Sequence, residues 1–191
     1  QLIFGRDFNK SVATASWPPG LSTLRFGRGF DGDVKDVAWP VSLRTLSLGW
    51  EFQHPLGAVK WPGTLEELSL SCKKLPRLRS MTLPARLTKL HFQGGFPSGF
   101  LDDAEFPPML KDLCLGDGFN EGVQGVIWPG GLEKLTFGRS YNQRVDRVEW
   151  PRGIEQLVFG QFFFSNHAPL HSVSWPRGCE VRAAGSTMSR S

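Results

Sequence analysis

The chain has 191 residues, of which 40% are hydrophobic and 22 are glycine. Apolar residues and glycine together make up about half of the chain, which excludes disorder of the whole chain and fits one domain or one elongated array. The formal net charge of +4 at pH 7 is small for a dedicated nucleic-acid-binding protein, so nucleic acid is not an expected partner. No apolar run approaches the roughly 20 residues of a membrane span, and no membrane association is expected.

The three cysteines, Cys72, Cys114 and Cys179, are an odd number at unrelated spacings. This count disfavours a disulfide framework and predicts a reducing, cytoplasmic location. Fifteen Phe and seven Trp accompany a single Tyr, which indicates aromatic rings stacked in a dry interior.

A hydrophobic pattern recurs at steps of 22 or 23 residues along most of the chain. Each unit contains Leu-x-x-Leu-x-Phe or a close variant, then usually a glycine and an aromatic residue, and it closes on Trp-Pro or a substitute. The second leucine of the motif recurs at Leu2, Leu24, Leu46, Leu68, Leu90, Leu113, Leu135 and Leu157. The closing position recurs at Trp17, Trp39, Trp61, Leu83, Phe106, Trp128, Trp150 and Trp175. Eight units result, with the boundaries 1–20, 21–42, 43–64, 65–86, 87–109, 110–131, 132–153 and 154–178.

Repeats of about 20–29 residues with this leucine spacing are typical of leucine-rich repeats, in which each repeat supplies one strand of a parallel sheet. The predicted fold is therefore a β-rich solenoid over residues 1–178, with a curved parallel sheet on its concave side. The second half of each unit holds proline and lacks a 3.6-residue apolar period. The convex side is expected to be irregular or 3₁₀, with little or no α-helix. Three continuous internal stacks are expected, one of Leu and Phe, one of Phe and one of Trp.

The sequence also resembles the FNIP-type, or FGxxFN, class of leucine-rich repeats. The similarity is clearest in three segments, 4–9, 115–120 and 137–142, and it covers essentially residues 1–178. The resemblance implies an array that binds other proteins, sometimes attached to F-box or kinase-like domains, and it brings no catalytic residues. The asparagine of the motif is expected to satisfy backbone groups of the turns. Its column reads Asn9, Asp31, Gln53, Leu75, Pro97, Asn120, Asn142 and Phe164, so the loops of units four, five and eight are expected to deviate.

The two ends of the array depart from the repeat. The chain begins inside a predicted strand with no capping unit before it, which predicts either a fragment of a longer array or a homodimer formed through the N-terminal edge. At the other end, Cys179 takes the first-leucine position and Arg182 is aligned with the second leucine. Residues 179–191 are therefore assigned to a C-terminal end, with a mobile tail from Ala183 onward.

The outward positions of the strands are the expected contact surface for a protein partner. The candidate residues on the concave face are Arg25, Ser47, Trp50, Glu67, Ser69, Lys89, His91, Asp112, Cys114, Lys134 and Thr136. Four of them alternate in sign from unit to unit, and parallel strands lie about 4.8 Å apart. Two interpretations stay open: these charges satisfy one another, or they contact a partner.

A second candidate surface is a basic segment in unit four. Between residues 71 and 89 the chain has no acidic residue, and the segment contains Lys73, Lys74, Arg77, Arg79 and Arg86. An anionic partner is one interpretation, and a solvated basic loop is the other. The acidic residues Asp102, Asp103 and Glu105 of the next unit are interpreted as a solvated loop.

No cofactor, metal or catalytic site is expected. Gly27–Gly32 matches G-x-G-x-x-G, but the repeat continues after it where a dinucleotide site requires a helix. His91, Cys114 and Cys72 are expected near one another, yet zinc needs about four ligands. The histidines share no local motif with a nucleophile, so the sequence predicts a non-catalytic scaffold that binds a protein partner. The alternatives are a self-associating structural module and a binder of an anionic partner.

Overall fold

The structure is a computed structural model that describes residues 1–163, 173–183 and 186–188. All strands belong to one ten-stranded sheet and follow one another in chain order. They are β1 (Leu2–Ile3), β2 (Thr23–Arg25), β3 (Thr45–Leu48), β4 (Glu67–Cys72), β5 (Lys89–Gly94), β6 (Asp112–Leu115), β7 (Lys134–Phe137), β8 (Gln156–Phe159), β9 (Glu180–Ala183) and β10 (Ser186–Met188). Strands β1 to β9 pair in parallel, and β10 pairs with β9 antiparallel.

One strand per turn of chain makes the fold a parallel β-solenoid, as the sequence predicts. A 3₁₀ helix spans Leu78–Ser80, and no α-helix occurs in the described residues. In the same part of the chain, no helix is long and apolar enough to cross a membrane.

The core follows from the two-residue period of the strands. Inward residues alternate with outward ones, as in β3, where Leu46 and Leu48 are buried and Thr45 and Ser47 are half-buried. The second-leucine column is almost completely buried from unit two to unit eight, at Leu24, Leu46, Leu68, Leu90, Leu113, Leu135 and Leu157. The pairing register matches this column with itself between neighbouring strands, so the predicted alignment of these units is confirmed.

Glycine follows most strands because neighbouring turns approach each other there by their backbones. A Cβ on Gly49 would lie 1.9 Å from the carbonyl oxygen of Gly27, and a Cβ on Gly160 would lie 2.1 Å from that of Gly138. Both separations are far below van der Waals contact. Any side chain at these positions would force two turns apart.

Units four and five, residues 65–109, are called the central units below, and they lack this glycine. Ser71 and Gln93 stand in its place, and they pair with each other in the extended part of β4 and β5. Both strands reach six residues, whereas the neighbouring β3 and β6 have four each. The close approach moves to Gly94, where φ is 142° and a Cβ would lie 1.7 Å from the carbonyl oxygen of Cys72.

The aromatic stacks run along the solenoid but are interrupted at the central units, so the expected continuous Phe and Trp stacks need correction. Trp39 stacks on its neighbours in units one and three at 6.5 and 6.4 Å, and Phe30 does so at 6.1 and 6.4 Å. In unit four Leu83 replaces the tryptophan. In unit five Phe96 is half-buried and meets Phe100 edge to face, with an interplanar angle of 87°.

The turns confirm the expected role of asparagine at Asn9 and Asn120. Asn9 Oδ1 accepts the backbone N–H of Asp31 at 2.8 Å, and Asn120 Oδ1 accepts that of Asn142 at 2.8 Å. Each side chain therefore links one turn of the solenoid to the next.

Where the asparagine is missing, other groups take over. In unit four the Leu75 N–H donates to the Gly95 carbonyl at 2.9 Å. In unit five the Glu121 carboxylate accepts the N–H groups of Gly99 and Phe100 at 2.8 and 3.0 Å. The altered loops of these two units agree with the expectation, whereas the loop of unit eight at Phe164 lies outside the described residues.

The C-terminal end differs from its prediction in two respects. Cys179 donates its N–H to the Pro176 carbonyl, as Ile154 does to Pro151, but strand β9 then begins one residue earlier than β8 does. Val181 therefore pairs with Leu157 and is buried, so the alignment of Arg182 with the core column was wrong.

The expected mobile tail from Ala183 also needs correction. Ala183 belongs to β9, and residues 186–188 form β10 beside it. The rest of the expected tail, 184–185 and 189–191, lies outside the described residues.

Candidate functional site

Two columns of outward side chains cover the side of the sheet away from the core, which is called the outer sheet face below. The first column comprises Thr23, Thr45, Glu67, Lys89, Asp112, Lys134, Gln156 and Glu180. The second comprises Arg25, Ser47, Ser69, His91, Cys114, Thr136, Val158 and Arg182. The structure therefore brings ten of the eleven candidate residues into adjacent rows, because each lies in a paired strand position.

Trp50 is the candidate that lies apart from these rows. It follows β3, after Gly49, and it is half-buried in the turn. Its carbonyl oxygen accepts the N–H of Lys73 at 2.8 Å. Trp50 thus borders the outer sheet face at the carboxyl end of the strands.

The charges of the first column pair with one another across the strands. Lys89 Nζ donates to Glu67 Oε1 at 2.7 Å, and Lys134 Nζ lies 4.0 Å from Asp112 Oδ2. The hydrogen bond and the charge of Glu67 raise the pKa of Lys89 above its ordinary value. This geometry favours the interpretation in which the ladder satisfies itself, and exposed pairs of this kind contribute little stability.

A neighbouring charge ladder was missed by the sequence analysis. It lies one position earlier, where the chain enters each strand. Arg44 forms an ion pair with Glu66, and Lys111 Nζ lies 2.6 Å from Glu133 Oε1. The same 22-residue register that located the first column would have located this one, because the residues are spaced identically.

The second column lines a groove of about 650 Å³ that crosses the later strands of the sheet. Ser69, His91, Cys114, Thr136 and Val158 lie along it, one per strand. Gly116, Gly138 and Gly160 border it toward the carboxyl ends of the strands, and glycine leaves the backbone uncovered there. The result is a trough whose second-column side chains are small or lack an acidic or strongly basic group, with Asp117 and Arg139 beside the glycines at its border.

Burial raises the pKa of both thiols of this region, and the two thiols lie on opposite sides of the sheet. Burial, with a smaller contribution from the nearby Asp112 carboxylate, raises the pKa of Cys114. Cys72 faces the core, and burial raises its pKa from 9.0 to about 12. The expected proximity of Cys72 to His91 and Cys114 is therefore wrong. Cys72 lies on the inward side of the sheet, and the other two lie on its outward side. Among the described residues no group of three or more His, Cys, Asp or Glu is placed to bind a metal ion.

The basic residues of unit four are all exposed, but the turn of chain spreads them around the solenoid. Lys73 and Lys74 follow β4, Arg77 and Arg79 flank or belong to the 3₁₀ helix, and Arg86 precedes β5. Strand β5 has six residues and spans about 17 Å between its two ends. Arg86 therefore lies near the beginning of the strands and Lys73 near their end, so the two cannot belong to one compact patch.

One of these cations is neutralised by the acidic loop of unit five. Arg79 Nη1 lies 2.9 Å from Asp103 Oδ2, and both side chains are exposed. The other four, Lys73, Lys74, Arg77 and Arg86, form no ion pair with any carboxylate of the described residues.

No family model and no curated protein matches the sequence. Among solved structures, the chain is similar to one described as the crystal structure of CroV588, a novel circular leucine-rich-repeat (LRR) protein, with a TM-score of 0.51. The two share 23% sequence identity over 95% of this chain, which spans 32% of the length of the other. At this identity the similarity establishes the fold alone. The chain is therefore a leucine-rich-repeat-like solenoid.

Proposed function

We propose that this chain is a non-catalytic scaffold of FNIP-type leucine-rich repeats that binds a protein partner through the outer sheet face. Solenoids of this kind present extended surfaces built from one position of every repeat, and such surfaces suit protein recognition. The recurrent Phe-Gly-x-x-Phe-Asn segments and their turn-linking asparagines support the family. The three free thiols support a reducing compartment.

The observation that carries the proposal is the trough along the second column. Asp117 and Arg139 border the trough where the chain leaves the strands, but the second-column residues from Ser69 to Val158 carry no carboxylate, ammonium or guanidinium group and are at least partly accessible. Covering such side chains requires little desolvation of charge, so a partner's backbone and apolar groups can approach closely. On the side where the chain enters the strands, the trough is bordered by ion pairs that already satisfy each other.

A random peptide library displayed on phage tests this function. Peptides enriched on the purified protein are synthesised, and their affinities are measured by fluorescence anisotropy. The double variant Ser69→Arg/Thr136→Arg fills the trough with long side chains at outward positions. We expect at least tenfold weaker binding by this variant.

The matched control is Thr14→Arg/Ser16→Arg, which adds the same charge at exposed positions in the second half of unit one, away from the sheet. It should bind the peptides as the unmodified chain does. Equal binding by all three proteins would overturn the proposal, provided that circular dichroism shows all of them folded.

A further inference from the structure

Ser80 lies in the basic segment of unit four, away from the trough. It is the last residue of the 3₁₀ helix Leu78–Ser80, between β4 and β5, and it is exposed. Arg77 precedes it by three positions and Arg79 by one. Protein kinases that select basic substrates use acidic residues of their own to recognise cations placed before the acceptor hydroxyl. The segment therefore carries the charge pattern of such a substrate.

The local hydrogen bonds leave the Ser80 hydroxyl accessible. Ser80 Oγ donates to the Arg77 carbonyl oxygen at 2.7 Å, and the Ser80 N–H donates to the same oxygen at 3.0 Å. Both bonds lie within one turn of 3₁₀ helix, and neither belongs to the ladder of the sheet. Opening this turn therefore breaks no strand pairing, and it presents an extended segment that a kinase can bind.

Two other hydroxyl groups have an arginine three positions before them, and the structure holds both more firmly. Ser47 lies in β3, which pairs with a strand on each side. Thr82 Oγ1 donates to the Gly57 carbonyl at 2.8 Å, and the Thr82 carbonyl accepts the indole N–H of Trp61 at 2.6 Å. These contacts tie Thr82 to unit three, whereas the two hydrogen bonds of Ser80 stay within its own turn.

The charges beside Ser80 give a phosphate at this position a structural effect. Arg79 Nη1 lies 2.9 Å from Asp103 Oδ2 in the loop of unit five, and both side chains are exposed. Asp103 has a φ of 52°, in the left-handed region that favours glycine. The ion pair with Arg79 therefore helps to hold a backbone conformation that is unfavourable by itself.

We propose that Ser80 is a phosphorylation site for a protein kinase that selects basic substrates, and that its phosphate withdraws Arg79 from Asp103. Ser80 Oγ attacks the γ-phosphorus of Mg-ATP, and the bond from that phosphorus to the β,γ-bridging oxygen breaks. ADP leaves, and the hydroxyl proton passes to the catalytic aspartate of the kinase. The phosphate, with a charge of about −2, competes with the carboxylate for Arg79 and repels Asp103.

Only part of the loop of unit five is expected to respond. The Ala104 N–H donates to the Leu101 carbonyl at 3.2 Å, across the turn that the ion pair holds. The N–H groups of Gly99 and Phe100 instead donate to the Glu121 carboxylate, which the phosphate does not displace. The Ala104 amide should therefore lose protection on phosphorylation, while the Phe100 amide keeps it.

Phosphorylation of the purified chain tests the site. The chain is incubated with Mg-ATP and the catalytic subunit of cyclic-AMP-dependent protein kinase, and the sites are mapped by tandem mass spectrometry. We expect Ser80 to be the main site. Ser80→Ala and Arg77→Ala should each lower the initial rate of phosphate incorporation by about tenfold or more. Thr82→Ala is the matched control, because it removes a hydroxyl with the same spacing from an arginine, and its rate should be unchanged.

Amide hydrogen exchange measured by NMR tests the structural effect. In the phosphorylated chain the Ala104 amide should exchange about threefold to tenfold faster, because an exposed ion pair is lost and a repulsion is gained. The Phe100 amide should keep its rate. Asp103→Asn removes the same ion pair without a phosphate, so it should speed exchange at Ala104 in the same direction. Phosphorylation of that variant should add less than about a further twofold.

The site is refuted if Ser80 carries no phosphate after the reaction, or if Ser80→Ala incorporates phosphate as fast as the unmodified chain. Circular dichroism of each variant excludes unfolding as the reason for a changed rate. If Ser80 accepts phosphate but exchange at Ala104 is unchanged, the withdrawal of Arg79 from Asp103 is refuted. None of these results bears on the proposed function, because Ser80 does not line the trough.

Discussion

The central units and the units on either side of them keep the same strand register by different means. In the flanking units, glycine lets the turns approach, asparagine links them, and aromatic rings stack face to face. In the central units, serine and glutamine replace glycine, a backbone carbonyl or a glutamate replaces asparagine, and the rings of Phe96 and Phe100 meet edge to face. The strand pairing continues through both regions without a shift.

This comparison shows which columns define the fold. The buried leucine column is present in every unit from two to eight, whereas the glycine, asparagine and tryptophan columns are each lost in the central units. Register therefore depends on the leucines and on the backbone ladder. The other columns determine how tightly neighbouring turns pack.

The largest expected effect compares two aromatic residues of the same column. Phe30→Ala should lower the free energy of unfolding by about 3–5 kcal/mol, because Phe30 is fully buried between stacked rings. Phe96→Ala should cost less than half of that, since Phe96 is only half-buried. Urea unfolding followed by far-ultraviolet circular dichroism measures both. Equal losses would show that the central units pack as tightly as the flanking ones.

The next effect concerns the close approach of the turns. Gly138→Ala should destabilise the protein by about 1–3 kcal/mol, because its Cβ would lie 2.3 Å from the backbone of Gly116. Gly63→Ala is the control, since no atom lies within 4 Å of its Cβ position. That control should leave stability unchanged or raise it by up to about 1 kcal/mol. The same urea titration measures both variants. An unchanged free energy of unfolding in Gly138→Ala would refute the packing role of the glycine column.

A pH effect distinguishes the buried thiol of the central units from the half-buried thiol of unit six. Because burial raises the pKa of Cys72 to about 12, the folded chain keeps this proton while the unfolded chain begins to lose it near pH 9. Stability should therefore fall as pH rises from about 9 toward 12, by about 1.4 kcal/mol per pH unit from this group. Unfolding measured between pH 8 and 10 should show a flatter dependence for Cys72→Val. Cys114→Ser should retain most of the slope, and an unchanged slope in Cys72→Val would contradict the assignment.

The smallest effect concerns the charge ladder. A double-mutant cycle with Glu67→Gln and Lys89→Gln should give a coupling of about 0.2–1 kcal/mol that weakens in high salt. The Asp112 and Lys134 pair is longer, at 4.0 Å, and should couple less. Thermal unfolding at two salt concentrations measures both couplings. A larger coupling for the Asp112 and Lys134 pair would show that the ladder is more stabilising outside the central units.

Much of the fold was predictable because it depends on a fixed spacing. Once Leu46 is aligned with Leu68, the strand, its inward face and its neighbour follow from the alternation of the chain. The error at Val181 arose because β9 begins one residue early after Cys179, a change that composition does not reveal. The interruption at Phe96 had a visible sign, since units four and five lack the usual tryptophan, but the edge-to-face geometry depends on local packing.

The repeat register predicted which residues face outward, but it did not predict which of these side chains contact one another. Both outward columns were located correctly, whereas the pairing of Lys89 with Glu67 depends on side-chain conformation. The residues of the basic segment do not form one compact patch. They are close in sequence, but the chain turns around the solenoid between them and separates them in space. Arg139 was overlooked because it lies just outside the strand, in a position that varies from unit to unit.

The parallel ladder also has a mechanical consequence. Its hydrogen bonds point along the long axis of the solenoid, so a force pulling the two ends apart along that axis loads these bonds one turn at a time. Each turn that peels away releases about 22 residues, or roughly 75 Å of extended chain. In an optical trap the molecule should lengthen in repeated steps of nearly equal size, one step for each turn of the solenoid that unfolds. The central units, with their six-residue strands, should release at a different force from the rest.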